Sequence, residues 1–99
     1  MSTKQINPLR GGRPVGATST DPKIAKAFGL AVVSLRTEKG VSQEALALKA
    51  MVDRSYLGRL ERGQNVPNLV GVVKLAAALG CPAADLVARF ETEMATHSR

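Results

Sequence analysis

Residues 41 to 63, VSQEALALKAMVDRSYLGRLERG, constrain the fold of this chain more than any other stretch. Ser42 is a good helix N-cap, and Gln43 and Glu44 follow it in the first turn, where free backbone amides favour a negative charge. Leu46, Ala47 and Ala50 then recur at the three- and four-residue spacing of one inward helix face. Asp53 is a second N-cap signal. Leu57 and Leu60 are the inward positions after it, and Gly63 can stop the helix in the left-handed conformation. Small Ala47 and Ala50 let the second helix cross the first closely. Two short helices joined by a tight turn are therefore expected, with Arg54, Ser55, Tyr56, Arg59 and Arg62 on the outer face of the second.

The rest of the chain supplies a frame for this pair. Asp21-Pro22 starts a helix, Asp as cap and Pro as first helical residue, that runs to about Lys39 and ends at Gly40. Ile24, Phe28, Ala31, Val32 and Leu35 form its apolar stripe. After the loop QNVP, Asn68 can cap a fourth helix ending near Leu79, with Gly80 just past it. Its apolar positions, Leu69, Val72, Val73, Leu75, Ala76 and Leu79, exceed a one-sided stripe, so a central place in the core is expected. A fifth helix begins near Pro82 and reaches Met94, carrying Leu86, Val87, Phe90 and Met94. Residues 1–20 are rich in Gly, Pro, Ser and Thr without helical period, and read as a flexible arm. There is no sheet signal and no internal repeat. The expected organisation is an all-α, compact five-helix domain over 21–95, with the basic arm 1–20 before it and a short tail, 96–99, after it.

Ninety-nine residues suit one domain with a real core. The net charge of +6 is uneven. Residues 1–26 hold five Lys/Arg against one Asp, residues 27–62 six cations against four carboxylates, and residues 63–99 three against three. Positive charge thus gathers in the arm and the helix pair, where contact with phosphates would need it. No run approaches the ~20 apolar residues of a membrane span, and the N-terminus lacks the apolar core of a signal peptide. The single cysteine, Cys81, excludes an internal disulfide and reads as a small apolar filler at a helix corner. A cytoplasmic protein without a membrane partner is expected. Catalysis is poorly supplied. The only histidine is His97, no Cys/His set has metal-ligand spacing, and no glycine-rich loop follows a strand. The expectation is no enzyme, no cofactor, no metal and no small-molecule ligand.

At Gln43, Glu44, Leu46, Ala47, Ala50, Val52, Arg54, Leu57, Leu60, Glu61, Arg62 and Gly63, the segment resembles the helix-turn-helix of the phage repressor/Cro (Xre) family. The resemblance runs from about Phe28 to Leu86, because LGCPAADL after a leucine-rich helix is also typical. The layout is similar to the compact controller proteins of restriction–modification systems. It implies a lambda-repressor-like DNA-binding fold and a transcriptional regulator. It also implies that Arg54, Ser55 and Arg59 fall on base-reading positions, that Gln43 meets the DNA backbone, and that Glu61 pairs with Arg36 of the first helix. One departure is Met51, which stands where the family usually has Gly. A left-handed non-glycine residue costs roughly 1–2 kcal/mol, so another turn conformation, or a packed Met51, is expected.

Physical reasoning extends this picture. The major groove admits one helix, and the N-terminal side of that helix meets the base edges. Arg54, Ser55, Tyr56 and Arg59 are thus the base-contacting candidates. Gln43, at a helix N-terminus, and Arg62, Gln64 and Asn65, beyond the recognition helix, are the phosphate-contacting ones. In the arm, Gly12-Arg13-Pro14 is similar to the core of AT-hook peptides, so Arg10 and Arg13 are minor-groove candidates. One recognition helix reads too few base pairs to select a site, so double-stranded operator DNA would be bound by a homodimer. Val87 and Met94 of the fifth helix are the candidate dimer interface. Two further readings compete: an antitoxin-type protein with a toxin partner, and a protein-interaction module that binds no DNA.

Overall fold

The computed structural model describes residues 21–97. They form α1 (Pro22–Glu38), α2 (Gln43–Ala50), α3 (Arg54–Glu61), α4 (Leu69–Leu79) and α5 (Ala83–His97), with no strand among the described residues. None of these helices is by itself long and apolar enough to cross a membrane.

Most helix starts follow their cap residues. The Asp21 carboxylate accepts from the Lys23 and Ile24 amides, at 2.9 and 3.3 Å. Ser42 Oγ accepts from the Ala45 amide at 3.0 Å, and Asn68 Oδ1 from the Gly71 amide at 2.9 Å. Each satisfies an amide that the first helical turn leaves without a partner. Asp53 is different. It holds the extended backbone of an N-cap, but its side chain makes no capping bond, so α3 starts without that support. At the other end α5 runs on to His97, past the expected Met94.

The core is a leucine cluster. Leu46, Leu57, Leu60, Leu86 and Val32 are fully buried, and Phe28, Ala31, Leu35, Ala47, Ala50, Leu75, Ala76 and Leu79 close around them. The first helix packs along α5, where the rings of Phe28 and Phe90 lie 6.1 Å apart at a tilt of 55°. It also crosses α3 at Gly29. A Cβ there would stand 2.5 Å from the carbonyl oxygens of Leu60 and Glu61, so only glycine permits so close a crossing. At the outer edge of α1, Arg89 donates to both oxygens of Glu38, at 2.8 and 3.1 Å. That hydrogen bond, aided by the charges of Arg89 and Lys39, holds the Glu38 carboxyl below its ordinary range.

Two expectations fail here. The helix α4 is not central: Leu75, Ala76 and Leu79 are buried, but Leu69, Val70 and Val73 are 76%, 61% and 51% exposed. Positions 69, 73 and 77 are four apart and fall on the side away from 75 and 79, so only one face of the helix reaches the core. At the turn, Met51 adopts φ 60° and ψ 45°, left-handed like the glycine it replaces, and it is 85% exposed. Neither another conformation nor packing offsets its strain. The turn closes instead through the Val52 amide, which donates to the Ala47 carbonyl at 3.0 Å.

Candidate nucleic-acid interface

A helix advances by about 100° per residue, so positions 54, 55, 58, 59 and 62 of α3 and its C-cap share one side. Arg54, Ser55, Arg59 and Arg62 are exposed there, and Leu57 and Leu60 are buried on the opposite side. Tyr56 falls outside this group. It lies about 200° from Arg54 around the helix, is half-buried, and packs against the core beside Val52 and Pro67. The structure therefore gathers three of the four base-contacting candidates and sets Tyr56 apart with the scaffold.

Glu61 follows the cationic face in sequence but turns inward. Its carboxylate accepts from Arg36 Nε at 2.8 Å and from Arg36 Nη2 at 3.0 Å, with side chains 5% and 17% exposed for Glu61 and Arg36. The two parallel bonds fix the guanidinium plane. Arg36 Nη1 also donates to the Val41 carbonyl at 3.1 Å, which ties α1, the loop before α2, and α3 together. The positive outer face thus carries no competing carboxylate from Glu61.

The same carboxylate reaches further. Gln43 Nε2 donates to Glu61 Oε1 at 2.8 Å, which leaves Gln43 Oε1 free to accept from Arg54 Nη1 at 3.3 Å. A buried acid is thereby linked, through one amide, to the first residue of α3. The amide is oriented at both ends, so Arg54 is held before any ligand arrives. Sequence reasoning placed Gln43 and the Arg36–Glu61 pair separately. Their connection depends on the crossing of α1, α2 and α3 and has no signature in the order of residues.

The remaining candidates are dispersed. Arg62 Nη2 donates weakly to Gln64 Oε1, at 3.5 Å, just past α3; Gln64 is exposed and Asn65 half-buried. Val87 is 39% exposed, and Met94 is half-buried in a recess with Ile24 and Phe90. Arg10 and Arg13 lie outside the described residues. Two residues escaped the sequence reading. Gly29 sets the depth of the α1–α3 crossing, and Gly58 occupies the middle of the cationic face. A glycine inside so short a helix was the available signal for the second.

The helix-turn-helix family model matches residues 32–86. An uncharacterized HTH-type transcriptional regulator of Sinorhizobium fredii is 37% identical over 62 residues, which span 63% of this chain and 80% of that protein. The restriction-modification controller protein C.AhdI from Aeromonas hydrophila is 47% identical, with a TM-score of 0.61 over 63% of this chain and 94% of its own. The clp gene regulator ClgR from Corynebacterium glutamicum superposes with a TM-score of 0.72 at 32% identity, covering 76% of this chain and 80% of that one.

Proposed function

This chain belongs to the helix-turn-helix family, and from that premise we propose that it is a sequence-specific DNA-binding transcriptional regulator that acts as a dimer. The observation that carries the reading is the outer face of α3. Three arginines and a serine share it, and the leading arginine is held in place by Gln43. In the major groove, Arg54 and Arg59 each offer two hydrogen bonds to guanine O6 and N7, contributing roughly 1–3 kcal/mol of discrimination apiece, and Ser55 bonds either base type. Arg62, Gln64 and Asn65 follow α3 and meet phosphates, which fixes the register without reading sequence. Gln43 serves both ends, positioning Arg54 and contacting the backbone from the start of α2. The likeness to C.AhdI supports a compact regulator of the controller type.

Two copies would read half-sites about 34 Å apart, one turn of DNA. The apolar ground for pairing is Val87, with Met94 at its edge, on α5, together with Leu69, Val70 and Val73 on α4.

The test is selection of bound duplexes from a random-sequence pool, followed by gel shifts. Arg54→Ala and Arg59→Ala are expected to weaken the selected site and relax base choice. Arg62→Ala is expected to weaken all duplexes nearly alike. Gln43→Ala should do both, because it removes a phosphate contact and releases Arg54. Equal losses on selected and random DNA for every variant would sink the assignment.

A further inference from the structure

Gly58 is a glycine that the fold does not require. Among the described glycines, Gly40, Gly63 and Gly80 hold a positive φ, at 67°, 80° and 77°. Gly29 faces backbone carbonyls at 2.5 Å, and a Cβ on Gly71 would stand 2.8 Å from the rigid ring of Pro67. Gly58 has ordinary helical backbone inside the eight-residue α3. A Cβ there would meet only the ends of flexible side chains: Arg62 Nη1 at 3.2 Å, and the Gln43 Oε1 and Nε2 at 3.8 and 3.9 Å. Alanine would fit this buried position once the Arg62 guanidinium gave way by a few tenths of an ångström, and it would favour the helix, because glycine is the poorer helix former in an interior position.

Its surroundings suggest what glycine is for. Arg54 lies one turn before it and Arg62 one turn after it, with Ser55 and Arg59 on the same side. The centre of a cationic face is therefore left without a side chain of its own. The Gln43 amide, bonded to Glu61 and Arg54, and the Arg62 guanidinium, bonded weakly to Gln64, lie over this backbone and bury it in the unbound protein.

We infer that Gly58 is the point of closest approach between α3 and a DNA strand, where the missing side chain admits the sugar–phosphate wall of the groove to van der Waals contact with the helix backbone. An anionic strand fits this place because the nearest charged group is the Arg62 guanidinium, with Arg54 and Arg59 on the same side of the helix. Arg62, held only by a weak bond to Gln64, moves from the helix surface to a phosphate oxygen as the strand arrives, while Gln43 keeps its bonds to Glu61 and Arg54. Arg54 and Arg59 are thereby carried deep enough to reach base edges. The inference rests on the reading of α3 as the DNA-reading helix.

The experiment compares wild type, Gly58→Ala and Gly58→Leu as full chains. Binding is measured to a duplex that the wild type selects from a random pool and to an unrelated duplex, alongside thermal unfolding. Gly58→Ala is expected to bind both duplexes at least about fivefold more weakly, the low end of what one added methyl costs in a close-packed contact. Its Tm should equal or exceed that of wild type, and Gly58→Leu should bind more weakly still. Undiminished binding by Gly58→Ala would overturn the inference. So would a fall in Tm alongside binding, which would assign the glycine to folding. A loss confined to the selected duplex would also overturn it, by placing a base edge rather than the strand at Gly58. Failure of the wild type to select any duplex is a separate outcome, which removes the DNA reading and this inference with it.

Discussion

Replacing Glu61 with alanine tests the architecture beneath the cationic face. The carboxylate accepts two hydrogen bonds from Arg36 and one from Gln43, all between 2.8 and 3.0 Å, with its side chain 5% exposed. Removing one partner of a buried ion pair costs ~3–5 kcal/mol, because the other charge is left uncompensated. Arg36 is 17% exposed and keeps its bond to the Val41 carbonyl, so the low end applies, about 3 kcal/mol. For a domain of this size each kcal/mol shifts Tm by about 4–8 °C, which gives a fall of about 12–24 °C. Urea unfolding followed by circular dichroism measures the loss directly. The double substitution Arg36→Met/Glu61→Leu is the companion. With both charges gone, stability should return to within about 1 kcal/mol of wild type, since apolar replacement of a buried pair is often neutral. A loss under about 0.5 kcal/mol for Glu61→Ala, the range of ordinary surface changes, would refute the reasoning. It would mean that water screens this pair as it does an exposed one.

Further outcomes follow from single positions. Gly29→Ala forces a Cβ against two backbone carbonyls at 2.5 Å, so α1 and α3 must separate; a loss of about 1–3 kcal/mol or more is expected in the same unfolding assay. Met51→Gly relieves a left-handed residue that is 85% exposed and makes no compensating contact in the core. It should stabilise by up to ~1 kcal/mol, the left-handed cost less the added freedom of glycine in the unfolded chain. Arg89→Ala should raise the Glu38 titration midpoint toward its ordinary value, as read by NMR of the side-chain carboxyl. Because the folded value is lowered, the stability this pair contributes is present above the ordinary carboxylate range and is lost as pH falls through the lowered value. Arg89→Ala should therefore flatten stability in that acidic window alone.

Local order was legible in the sequence wherever the physics is local. Asp21, Ser42 and Asn68 cap because a short polar side chain reaches an amide two or three residues on, and no distant residue is needed for that. Gly40, Gly63 and Gly80 stop helices because a positive φ is costly for other residues. Leu46, Leu57, Leu60 and Leu86 were identifiable as core from their spacing, since one face of a short helix must leave water. The outer positions of Arg54, Ser55, Arg59 and Arg62 follow from the same periodicity.

What the sequence left open was settled by how the helices cross. Leu69, Val70 and Val73 are as apolar as the buried Leu75, and composition cannot tell which face of α4 finds a neighbour. Helix periodicity sets Tyr56 about 200° from Arg54, but only the fold shows that it is half-buried against the core, beside Val52 and Pro67. Asp53 has the right residue type and backbone for a cap but makes no bond, and Met51 keeps a glycine's conformation without the glycine. The path from Arg36 through Glu61 and Gln43 to Arg54 joins residues up to 25 positions apart, at distances set by the α1–α3 contact over Gly29. Helix periodicity specifies which side a residue faces. Only the crossing of three helices specifies what it meets there, because hydrogen-bond geometry tolerates errors of tenths of an ångström and the sequence carries no such distances.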